Sequence, residues 1–141
     1  MIALSNSFVP HLVDAAMAEA FALKEGLMLA QYVDCNRLIV QSDCMEVVET
    51  MRNGGFLANS TAAVYDDCSI IWSGFEDITI EHCDRESNQA AHVLARQAMQ
   101  TKENCIWDDE PPSFIIETIM KDVRASPRAL CILGELAKKT K

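Results

Sequence analysis

The sequence predicts one α/β domain in which helices are layered against a small sheet. Short β-branched or apolar runs alternate with amphipathic segments in the order β-α-β-α-α-β-α-α. Half of the residues are apolar, which is enough for a buried core, and 141 residues fit a single domain. We find no internal repeat in the sequence. These observations favour a layered α/β fold.

Each strand is predicted from a short apolar or alternating run. Residues 2–9 are rich in β-branched and aromatic side chains, and this segment is closed by Pro10. Residues 37–41 form a short apolar run, which is typical of a strand buried on both faces in a parallel sheet. Residues 78–83 alternate between apolar and polar side chains, as a strand with one buried face should.

The helices are predicted from apolar residues at three- and four-residue steps. This spacing predicts three long helices, over residues 12–33, 62–75 and 87–100. A shorter helix is predicted over residues 44–52, because Asn53, Gly54 and Gly55 then end it.

The C-terminal part is divided by composition. Residues 1–104 hold the predicted strands and form the domain proper, and residues 105–124 add an acidic, proline-containing turn and a last amphipathic helix. We expect five side chains of that helix to face inward: Ile115, Ile116, Ile119, Met120 and Val123. Residues 125–141 form a basic tail, with a short helix beyond Pro127 and a partly disordered end.

The charge balance argues against binding by bulk electrostatic attraction to nucleic acid. The chain has 12 Lys and Arg against 21 Asp and Glu, a formal net charge of −9. Because phosphate neutralisation needs clustered Lys and Arg, this balance disfavours both that mode of binding and an anionic membrane surface. The tail from Ala125 differs, since it has 4 basic residues and 1 acidic residue.

The cysteines and the N-terminus favour an intracellular protein, in the cytoplasm or the nucleus. No signal peptide is evident, because the first basic residue is Lys24, and no apolar run has the roughly 20 residues of a membrane span. The 6 cysteines are scattered without a C-x-x-C pair, so we expect reduced thiols and no disulfide. Only Cys83 has a close histidine, His82, which disfavours a zinc site.

Three places carry residues that could take part in catalysis or ligand binding. Glu19 lies on a helix side made of small residues, and Asp43 follows the strand of residues 37–41, where open α/β sheets place ligands. Asn88 and His92 are one helical turn apart at a helix start. Each has a structural alternative. Asp43 could be the N-cap of the next helix, Glu19 a residue at the rim of the core, and His92 a partly exposed helix residue.

Together these residues form a recognisable pattern. Three segments (residues 18–27, 38–44 and 82–95) resemble the type-1 ribonuclease H family, and most closely its branch in plant retroelement-derived proteins. The resemblance covers about residues 2–100, and the motifs come in the family's order and spacing. It implies a ribonuclease H-like layered fold, with a mixed sheet flanked by helices.

The resemblance also implies an RNA–DNA hybrid endonuclease that uses two Mg²⁺ ions held by four carboxylates. Glu19 matches the family's helix glutamate, and Asp43 matches its strand-end aspartate; both would be catalytic and bind metal. His92 stands where the family has its last aspartate and is a third candidate metal ligand, and Arg85 and Asn88 match positions that would contact the nucleic acid.

Two departures from the family pattern weaken the expected activity. The chain begins after the family's first two strands, the first of which carries an aspartate, so we expect a copy truncated at its N-terminus. His92 replaces the last aspartate, and imidazole is a poor ligand for Mg²⁺. With two of four carboxylates left, a second Mg²⁺ should bind weakly, and we expect little or no hydrolysis.

Without these two strands, we expect the strand of residues 37–41 to lack a hydrogen-bonding neighbour at one edge. Either the opening strand moves inward to pair with residues 37–41, or an edge stays open to self-association. Besides a weakened nuclease, the sequence therefore allows a non-catalytic module that contacts a protein or nucleic acid, or a degenerate retroelement fragment.

Overall fold

The structure, a computed structural model, describes residues 3–6, 15–54, 61–84, 86, 89–102, 105–108, 113–125 and 131–132. These residues form a mixed α/β arrangement of five helices and five strands. In chain order the elements are β1 (Ala3–Asn6), α1 (Ala15–Tyr32), β2 (Arg37–Ser42), α2 (Met45–Arg52), α3 (Ala62–Trp72), β3 (Asp77–His82), α4 (Gln89–Thr101), β4 (Cys105–Asp108), α5 (Ile116–Ala125) and β5 (Cys131–Ile132).

The described strands form two sheets. β2 is the middle strand of the larger one, in the order β3-β2-β5. It pairs with β3 in parallel along its whole length, from Arg37 opposite Asp77 to Ser42 opposite His82. It pairs with β5, also in parallel, only at Val40 and Gln41. β1 and β4 form a separate antiparallel pair.

This topology corrects two expectations drawn from the sequence. The opening strand does not move inward to β2, because it pairs with β4, a strand that the sequence analysis did not predict. The helix expected beyond Pro127 is also wrong for Cys131 and Ile132, which form β5. β5 instead covers part of the β2 edge that one of the two alternatives left open.

The main core lies between α1, α2, α3 and one face of β2 and β3. Small residues on α1 let this helix approach its neighbours closely. Leu23 and Leu27 on the same helix are fully buried. The side chains at every second position of β2, Leu38 and Val40, point into the same core. The other buried members are Ala20, Ala30, Val47, Val48, Met51, Val64, Tyr65, Cys68 and Ile80.

A turn after α1 directs the chain into β2. Asp34 has a positive φ of 56°, a conformation that aspartate tolerates better than most residues. The N–H of Cys35 donates to the carbonyl of Ala30 over 2.9 Å, and that of Asp34 donates to Gln31 over 3.0 Å. These bonds satisfy the last carbonyls of the helix and fix where β2 begins.

A second, smaller cluster joins α4 to α5. Its buried members are Ala90, Leu94, Ile115 and Ile119. The expectation that Ile116 and Met120 also face inward is wrong, because their exposed fractions are 47% and 50%. α4 covers only one side of α5, so only the side carrying Ile115 and Ile119 is buried. Val123 lies outside the residues whose side chains are described.

Candidate functional site

The candidate site lies where β2 ends. Arg37, Ile39 and Gln41 share one face of this strand, and Asp43 follows in the same alternation just after it. His92, on the first turns of α4, reaches Asp43: its Nε2 lies 2.9 Å from Asp43 Oδ2. The two side chains are only 11% and 13% exposed. An ionised carboxylate can only accept, so Nε2–H of His92 is the donor in this hydrogen bond.

The structure excludes the capping alternative for Asp43. The N-cap of α2 is Cys44 and not Asp43. The backbone N–H of Cys44 donates to Ser42 Oγ over 3.1 Å, and Val48 N–H donates to the carbonyl of Cys44. The Asp43 carboxylate therefore pairs with the helix α4 and does not serve the helix that follows it.

Glu19 lies on α1, and its side chain is partly buried. Burial raises the pKa of the Cys44 thiol, backbone hydrogen bonds lower it, and the negative charge of Glu19 raises it further. Arg85 and Asn88, the predicted nucleic-acid contacts, lie outside the described residues.

A polar row on the face of the sheet opposite the main core was missed by sequence reasoning. Gln41 donates its side-chain amide to Glu81 Oε1 over 2.6 Å, and Gln41 is 4% exposed. Four residues earlier on the same strand face, Arg37 pairs with Asp77 at 3.3 Å, where both side chains are largely exposed. The signal was present, because a two-residue period along the strand places Gln41 beside Asp43 on the same face.

The donor set does not fit the two-magnesium site that the resemblance implies. Oδ2 of Asp43 is engaged by His92 Nε2, which competes with a cation for that oxygen. Within the described part of the chain, no group of three or more His, Cys, Asp and Glu side chains could hold a metal ion. Two Mg²⁺ ions need several hard oxygen ligands between them. Glu19 and the Asp43–His92 pair do not supply that set.

Comparisons with known proteins give one match. A family model described as reverse transcriptase-like matches residues 1–98, about two thirds of the chain. No curated protein and no solved structure matches the chain. Among the described helices, none has the length and apolar character needed to cross a membrane.

Proposed function

Because the chain belongs to the reverse transcriptase-like family, we propose that it is a ribonuclease H-like domain of retroelement origin. In this proposal it binds nucleic acid, with RNA–DNA hybrids as the substrate class, and its ribonuclease activity is strongly reduced. The observation that carries the proposal is the contact between Asp43 and His92. It brings the strand-end motif and the last helix motif together, as a site built from both motifs requires.

The charge of Glu19 supports the same arrangement, because besides burial it contributes to the raised pKa of Cys44, the residue after Asp43. In this proposal the site combines Glu19, Asp43 and His92 at the C-terminal end of a parallel strand, the usual location of ligands in such sheets.

The same geometry explains why hydrolysis should be weak. Hybrid cleavage by metal ions requires the attacking water and the leaving oxygen to be held by cations that carboxylates fix in place. With Asp43 paired to His92, too few free carboxylate oxygens remain. Losing several kcal/mol of this stabilisation corresponds to a rate about a thousandfold lower than that of a complete site.

Nucleic-acid binding in this proposal uses the C-terminal basic residues. Residues 1–124 carry 8 basic and 20 acidic residues, so the main body repels phosphates. Lys138, Lys139 and Lys141 are the densest basic group in the sequence. Binding through so few cations should be weak and should fall with salt, because counterion release scales with the number of neutralised phosphates.

The test uses the full chain and a fluorescent RNA–DNA hybrid. We expect binding by anisotropy in EDTA, weakened by salt, and weakened further when the three tail lysines are replaced by glutamine. Lys121→Gln is the matched control, because Lys121 is an exposed lysine already paired with Glu117 at 3.0 Å. Cleavage is followed on the same hybrid with Mg²⁺, comparing the natural chain with Asp43→Asn. No hybrid binding at low salt would contradict the proposal.

A non-catalytic protein-binding module is the second candidate. Two large apolar side chains are strongly exposed on neighbouring helices, Tyr32 at 65% on α1 and Ile70 at 71% on α3. The acidic body also favours a protein partner over a polyanion. A chain that binds no hybrid under any salt condition would favour this candidate.

A further inference from the structure

The two larger apolar clusters among the described residues share no buried residue. The first, under β2 and β3, is built from α1, α2 and α3. The second joins α4 to α5. Asp43 directly follows β2, a strand of the first cluster, and His92 belongs to α4 of the second, so their hydrogen bond crosses from one to the other. This contact therefore fastens α4 to the end of the central strand.

The burial of Asp43 makes a compensating partner necessary. A carboxylate that is only 13% exposed loses much of its hydration, and leaving it unpaired in such a place is strongly destabilising. A bound divalent cation could compensate it, and so can an imidazole N–H that donates to it. The 2.9 Å contact shows that His92 occupies the position next to Oδ2.

We propose that His92 is the built-in hydrogen-bonding partner of Asp43, and that this side-chain pair, in place of a divalent cation, joins α4 to the end of β2. This inference extends the proposed function. It rests on that function because only the ribonuclease H-like interpretation gives a cation site with which the pair is compared. Its test measures stability and cation binding without nucleic acid. If the chain failed to bind the hybrid, this inference would still stand. If a divalent cation stabilised the natural chain, this inference would be overturned and the proposed function would not.

A consequence follows for divalent cations. A cation that binds Asp43 through Oδ2 competes with the imidazole, and displacing the ring would leave His92, itself only 11% exposed, without this carboxylate. The natural chain should then gain no stability from Mg²⁺ or Mn²⁺. Replacing the histidine by a carboxylate reverses the situation: two acids would face each other and would need a cation between them.

The experiment compares melting temperatures in EDTA and in millimolar Mg²⁺ at matched ionic strength. We expect the natural chain to melt at the same temperature in both. His92→Asp should melt about 5 °C lower in EDTA and should recover most of that loss with Mg²⁺. Gln100→Asp is the control, because it adds a carboxylate at an exposed position of the same helix, and Mg²⁺ should not shift it.

A second measurement covers the case in which His92→Asp does not fold. Mn²⁺ is titrated into the natural chain, His92→Asn and Asp43→Asn, and free Mn²⁺ is followed by its electron paramagnetic resonance signal. We expect no binding by the natural chain and at least a tenfold gain in Mn²⁺ affinity for His92→Asn, which frees Asp43. Mn²⁺ binding by the natural chain that Asp43→Asn abolishes would overturn the inference, and so would a cation-independent His92→Asp variant that is as stable as the natural chain.

Discussion

Cys131 of β5 lies opposite Val40 of β2, so a strand from the C-terminal region covers the edge of the central strand that β3 leaves free. Val40 is fully buried, and a buried strand needs partners for its backbone groups on both sides. β5 supplies them only over two residue pairs, Val40 with Cys131 and Gln41 with Ile132. Cys131 and Ile132 of the tail are therefore part of the sheet.

A proline in β5 tests this role. Ile132→Pro removes a backbone N–H and fixes φ, so it should break the short ladder with β2. We expect faster hydrogen exchange in the β2 segment, measured by mass spectrometry, and more self-association in solution, because an open edge accepts another strand. Lys139→Pro is the control outside the ladder. Unchanged exchange in β2 after Ile132→Pro would show that β5 does not protect this edge.

Strong local patterns explain what could be predicted of the fold. α1, β2, α2, α3, β3 and α4 were all predicted within a few residues, because each carries a clear period of its own. β4 and β5 were not, since strands of four and two residues contain almost no pattern. Their existence depends on distant partners, β1 and β2, which propensity cannot identify.

In the candidate site, too, local features could be predicted from the sequence and long-range contacts could not. The position of Asp43 at a strand end could be predicted, because the apolar run before it is a clear strand. The direct pairing of Asp43 with His92 could not, because it depends on how α4 is placed relative to β2. Sequence reasoning placed both residues around a cation, and the structure brings their side chains into contact with each other.

Replacing one buried and one exposed aspartate tests how much the Asp43–His92 pair contributes to the free energy of unfolding. Asp43→Asn should lower the free energy of unfolding by about 2–4 kcal/mol, since it removes the charge from a nearly buried pair. Asp77→Asn breaks the Arg37 pair, in which both side chains are more than half exposed, and should cost less than about 1 kcal/mol. Urea unfolding of both variants checks this. Equal losses would mean that burial does not distinguish the two pairs.

Stability should fall at alkaline pH because of two buried acids in the main core. Burial raises the pKa of the Cys68 thiol to about 12 from 9.0, and that of the Tyr65 hydroxyl to about 12 from 10.0. The unfolded chain loses these protons first, so their contribution is complete below pH 9 and is lost as pH rises to about 12.

The corresponding measurement is the free energy of unfolding as a function of pH. Cys68→Ala should flatten the decline above pH 9, and Tyr65→Phe should flatten it above pH 10. Val64→Ala is the control, because it removes buried volume from the same core without removing a titrating group. A decline of the same slope in all four proteins would rule out Cys68 and Tyr65 as its cause.

A pair of substitutions on α1 tests whether the main core carries the stability of the molecule. Leu23 is fully buried between α1 and the rest of the first cluster, so Leu23→Ala should cost about 2–5 kcal/mol through lost contacts and the cavity left behind. Met28, on the same helix, is 46% exposed, and Met28→Ala should cost less than about 1 kcal/mol. Alanine favours helices at both positions, so helix propensity does not explain the difference. Chemical denaturation gives both values, and a loss for Met28→Ala as large as that for Leu23→Ala would mean that the exposed side of α1 is covered by another part of the protein.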